Sequence, residues 1–132
     1  MSTNSNTNLL TIFNDHFTEF ITDIYNVFPE DPDILTAKNA LGSIRKANPK
    51  LIVRIWIKYV ATPYHDRILA GDINFFIEKD YAKDLTRIGH TDQIMESIDR
   101  LRNPVKQMNS ENQQKTMKYI QNLCKIAALV PT

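Results

Sequence analysis

Few residues in this chain have side chains suited to catalysis or metal binding, and they are widely scattered. His16 is followed by Glu19 and Asp23, at i+3 and i+7, which on a helix places three possible metal ligands along one side. Paired Glu and His at this spacing serve di-iron bundles, but those sites also draw carboxylates from other helices, and no second Glu-x-x-His pair occurs here. A solvated acidic face is therefore the more economical reading of His16, Glu19 and Asp23. His65 stands beside Asp66 in an expected turn, and His90 falls in the break Gly89-His90-Thr91, where entry into a helix accounts for it. Cys124, the single cysteine, lies between Ile120 and Ala127 on an apolar stripe and reads as a small hydrophobe. Ser43 and Ser97 fall mid-helix with no evident base beside them. The chain has no phosphate-cradling Gly-rich loop, no G-x-S-x-G elbow and no H-E-x-x-H pair. We therefore expect no enzyme activity, no metal and no cofactor. A metal protein or enzyme built around His16, Glu19 and Asp23 is the rival expectation.

The elements that would position these groups are helical. Leu9, Ile12, Phe13, Phe17, Phe20, Ile21, Ile24 and Phe28 recur at spacings of three and four, which predicts a helix from Asn8 to Pro29 behind a flexible tail over residues 1–7. Asp31 followed by Pro32 is an N-cap with proline in the first turn, opening a helix to about Ala47 with Ile34, Ala37, Leu41 and Ile44 inward. Asn48-Pro49 repeats the device for a third helix to Val60, carrying Ile52, Ile55, Trp56 and Tyr59. Thr62-Pro63 opens a short helix ending at Gly71. Asp72 caps a segment running through Phe75, Phe76, Ile77, Tyr81 and Leu85. A helix over Thr91–Leu101 is expected to stop at Asn103-Pro104, and a last one to run from about Ser110 to Leu129. The expected class is all-α, one bundle of six to seven helices over residues 8–132.

Length and composition agree. The chain has 132 residues, of which 42% are hydrophobic, enough for one buried core and too many for a disordered chain. One cysteine excludes a disulfide framework and a thiolate metal cluster. No apolar run approaches the roughly 20 residues of a membrane span, and the first eight residues lack the basic start of a signal or transit peptide. A protein that is neither secreted nor inserted in a membrane is expected.

The net charge of +1 hides a polarised chain. Residues 1–37 carry Asp15, Glu19, Asp23, Glu30, Asp31 and Asp33 and no lysine or arginine. Residues 38–67 carry Lys38, Arg45, Lys46, Lys50, Arg54, Lys58 and Arg67 against Asp66 alone. One reading packs the acidic helix beside the basic ones, so that their rims neutralise each other. The other turns Arg45, Lys46, Lys50, Arg54 and Lys58 toward a partner, either an acidic protein surface or, as second choice, nucleic acid. Trp56, at the apolar spacing, belongs to the core rather than to a stacking platform. A second contact surface is expected at the aromatic segment, where Phe75, Phe76 and Tyr81 crowd among charges and fit the interface preference for aromatic residues.

From Phe13 to Tyr81 the chain resembles small uncharacterised helical proteins encoded by large eukaryotic (nucleocytoplasmic) DNA viruses. The residues that carry the resemblance are Phe13, His16, Phe17, Phe20, Asp23, Ile24, Val27-Phe28-Pro29, Asp33-Ile34 and Ala37-Lys38-Asn39-Ala40-Leu41. They continue with Ile44-Arg45-Lys46-Ala47-Asn48-Pro49, Trp56, Tyr59-Val60, Gly71-Asp72, Phe75-Phe76-Ile77 and Lys79-Asp80-Tyr81. The resemblance covers about half the chain, contains no catalytic signature and leaves out the last helix. It implies a viral protein of the particle, the host cytoplasm or the viral factory, and a minor capsid, virion or assembly component is the leading expectation. An adaptor that binds a host protein during infection is a further one.

Overall fold

Phenylalanines and isoleucines at three- and four-residue spacing make the first helix, α1 (Ser2–Val27), a strongly one-sided element in the computed structural model, which describes residues 2–78 and 90–130. Phe13, Phe17, Phe20, Ile21 and Ile24 are all buried. Ile12 is not: at about 100° per residue it falls roughly 130° from the middle of that stripe, and it is 49% exposed. The helix also takes in residues 2–7, expected as a tail; Ser, Thr and Asn there impose no backbone break. Phe17 is the hub of an aromatic spine, with Phe13 at 5.9 Å, Phe20 at 6.0 Å and Trp56 edge-on at 5.6 Å between ring centroids.

Helix α2 (Pro32–Ala47) starts as expected, with the Asp31 carboxylate accepting from the Asp33 amide at 2.8 Å and Pro32 in the first turn. Ile34, Ala37, Leu41 and Ile44 all face inward. Asn48 closes α2 instead of opening the next helix, its amide donating to the Ile44 carbonyl at 2.8 Å. Helix α3 (Leu51–Trp56) therefore begins after Pro49 and passes into a π turn (Ile57–Ala61), where the Thr62 amide reaches back five residues to the Ile57 carbonyl. Val53 and Val60 join Ile52, Ile55 and Trp56 in the core, while Tyr59 is half-buried.

Helix α4 (His65–Leu69) ends at Gly71, whose φ of +73° allows a Schellman closure. The Gly71 amide donates to Ile68 and the Asp72 amide to Arg67. Asp72 then caps helix α5 (Asn74–Glu78) through the Asn74 amide at 3.0 Å. Helix α6 (His90–Lys106) does not stop at Asn103-Pro104. Proline so near the end forfeits only the bond to Arg100, and Leu101, Val105 and Met108 keep the inward spacing and are buried on both sides of it. Asn109 caps helix α7 (Ser110–Leu129) through the Asn112 amide.

The described residues form an all-α bundle of seven helices with no strand among them. α1 packs on α2 and α7, and α2 lies along α6, around one contiguous core. Ion pairs and capping bonds fasten the rims: Arg100 of α6 holds Asp33 of α2 at 3.0 Å, and Arg102 reaches the Ile77 carbonyl at the end of α5. No described helix is long and apolar enough to cross a membrane.

Candidate functional site

The expected aromatic surface does not form at Phe75 and Phe76. Both rings are buried, at 1% and 0% exposure, where α5 packs against α6. Phe75 stacks on Tyr64 at 5.3 Å and meets Phe76 edge-on at 6.2 Å. They are core residues. Tyr81, the third member of that expected surface, and Leu85 lie outside the described residues.

The basic block divides in two. Arg45, half-buried at the α1–α2 seam, donates to the Asp15 carboxylate and to the Thr18 hydroxyl. This is the one place where the acidic and basic blocks meet directly among the described residues. Asp23 and Asp33 turn to Tyr119 and Arg100 instead. Lys46, Lys50, Arg54 and Lys58 remain exposed, and no described acid pairs with them. Lys50 precedes α3, Arg54 lies within it and Lys58 is the second residue of the π turn, so successive members of the three are four residues apart. A rise of about 6 Å per step sets them in a row roughly 12 Å long. Lys46, at the end of α2, flanks that row across the Asn48–Lys50 turn. Lys58 lies over the Tyr59 ring at 5.4 Å, holding its ammonium at the surface. Trp56, on the same helix, points the other way and is 1% exposed, as its spacing implies.

Compared with protein-family models, with curated proteins and with solved structures, the chain matches none.

His16, Glu19 and Asp23 lie at the α1–α7 contact. His16 Nδ1 is 3.7 Å from Glu19, but Asp23 is taken by Tyr119 of α7, whose hydroxyl donates to the carboxylate. The Tyr119 ring also lies 4.9 Å from the His16 ring. Burial, then the Asp23 hydrogen bond and the negative charge around it, push the Tyr119 phenol up to about 12. Among the described residues, no three His, Cys, Asp or Glu side chains are grouped as a metal site. Tyr119 was not legible as a site residue: it precedes the inward Ile120 on an amphipathic helix, and its partner lies 96 residues away.

A second feature that spacing alone does not reveal is a cleft of about 880 Å³ between the π turn, α4 and the second half of α7. Its walls include Ile57, Ala61, Ile68 and Val130, and His65, Thr62 and Lys125 also line it. Gln121 braces it, donating from Nε2 to the Ile68 carbonyl at 2.9 Å. Cys124 lines the cleft, half-buried; burial pushes its thiol up, and the Trp56 side chain beside it offsets this in part. A raised thiol pKa lowers the thiolate fraction and with it nucleophilicity. His65 is exposed at this cleft, while the side chain of His90 lies outside the described residues.

Proposed function

We propose that this chain is a helical interaction protein that docks on an acidic protein surface through Lys46, Lys50, Arg54 and Lys58. The supporting observation is the division of the basic block: Arg45 is neutralised within the fold, and these four cations are exposed with no described acid beside them. Exposed cations in a row attract an oppositely charged surface and speed the encounter with it. The role is one of binding rather than catalysis. Its setting, a minor virion or assembly component of a large DNA virus, is supported by the resemblance over Phe13–Tyr81 alone.

Quantitative mass spectrometry of purified particles against infected-cell lysate tests that setting. A fixed number of copies per major shell protein, lost when Lys50→Glu and Arg54→Glu are combined, is the expected result. Abundance in lysate with absence from particles would overturn it and turn attention to a host protein. The linear row also suits a phosphate backbone, which supports nucleic acid as the second reading. Four phosphates neutralised on duplex DNA give a log–log salt slope of about −3 to −4, so a salt-insensitive or undetectable interaction with duplex DNA removes that reading.

A further inference from the structure

We infer that the cleft between the π turn, α4 and α7 binds a single alkyl carboxylate, an apolar chain with one anionic head. The cavity of about 880 Å³ has the size of small-molecule sites, which commonly span roughly 300–1,000 Å³ and combine apolar walls with a few polar groups. Ile57, Ala61, Ile68 and Val130 supply apolar wall for the chain. Leu69, which lines the same cleft, is 66% exposed, the most exposed of the large hydrophobic residues described. An apolar guest would cover it.

The polar groups select the head. Lys125 and His65 are the lining residues that can carry positive charge, and no Asp or Glu is among the described residues that line the cleft. A carboxylate thus meets a positive charge with no acid among the described lining residues to compete with it, whereas a cationic head would meet Lys125 in repulsion. Gln121 is already committed through Nε2 to the Ile68 carbonyl, which ties α7 to α4 and fixes the spacing of these two walls. The π turn adds to the shape. Its widened backbone turn puts Ile57 and Ala61 on the cleft while Val60 stays in the core.

Titration calorimetry with dodecanoate below its micellar range tests the inference on the full chain. Trp56, the single tryptophan and a neighbour of Cys124, provides an independent fluorescence signal. One-to-one saturable binding is expected, with octanoate, four methylenes shorter, weaker by about 250-fold, since each buried methylene is worth about fourfold. Dodecyltrimethylammonium should not bind saturably. Lys125→Glu, an exposed position, should weaken dodecanoate by about tenfold through charge reversal. Ala128→Phe, which fills the cleft from its exposed lining, should remove binding; circular dichroism of both variants checks that the helices are intact. Three results would each overturn the inference: no saturable dodecanoate binding, equal binding of the cationic amphiphile, or a dimer by sedimentation that dodecanoate does not dissociate.

Discussion

Replacing Phe75 by alanine separates a core residue from a docking residue. The ring is 1% exposed, stacked on Tyr64 at 5.3 Å and edge-on to Phe76 at 6.2 Å. Truncating a buried phenylalanine costs about 3–5 kcal/mol in general, including about 0.5–1.5 kcal/mol for each aromatic pair lost. Helix α5 has only five residues and so relaxes toward the cavity more readily than a long helix. That argues for the lower end, about 3 kcal/mol. With a urea m-value of about 2 kcal/mol/M for a domain of this size, the midpoint should fall by roughly 1.5 M. Equilibrium unfolding followed by Trp56 fluorescence and by far-UV circular dichroism measures it. Ile12→Ala, at a 49% exposed site on α1, is the control and should move stability by no more than about 0.5 kcal/mol. A Phe75→Ala midpoint within about 0.3 M of the parent chain would refute the placement of this ring in the core.

The two described glycines should respond in opposite senses. Gly42 is exposed in α2 and a Cβ there meets nothing within 4 Å, so Gly42→Ala should stabilise by about 0.5–1 kcal/mol. A Cβ at Gly71 would make only an ordinary contact, with Gln121 Nε2 at 3.8 Å, but its φ is +73°, so Gly71→Ala should cost about 1–2 kcal/mol; thermal unfolding of the pair reads both. Tyr119 predicts an alkaline limb of stability: unfolded tyrosine releases its proton near 10 and folded Tyr119 near 12. Its stabilising contribution is therefore complete below pH 10 and is lost as pH rises toward 12. Urea midpoints across that interval should fall less steeply in Tyr119→Phe than in the parent chain, and parallel curves would count against the assignment.

Much of the helical framework is legible in the residues because it is local. Asp31-Pro32, Gly71 and Asp72 act within a few residues of themselves, and each is found in its expected place. The stripe of α1 is legible for the same reason, apart from Ile12, which falls outside it. Pro104 misleads because its effect depends on burial of Leu101, Val105 and Met108, a tertiary matter. The π turn leaves no mark in the spacing of Ile52, Ile55, Trp56 and Tyr59, which suits an α-helix equally well. Site features fare worse. Whether Phe75 faces solvent depends on where Tyr64 lies, and which of the basic side chains is neutralised depends on Asp15 across the α1–α2 seam. The cleft is bounded by segments more than fifty residues apart in the chain, so no window of sequence contains it.

The packing of α1 against α7 has a consequence for synthesis. A ribosome adds about 5–20 residues per second, so Phe20 must wait several seconds for Tyr119, whose ring lies 5.8 Å away. During that interval α2 and α3 can shelter one side of the α1 stripe, and the side that faces α7 stays wet. A nascent chain halted before Ser110 would thus leave aromatic surface open to chaperones or to other nascent chains, rather than forming a smaller stable bundle. Completion of the last helix is the event that closes the fold, and the time before it is when the protein is most open to aggregation.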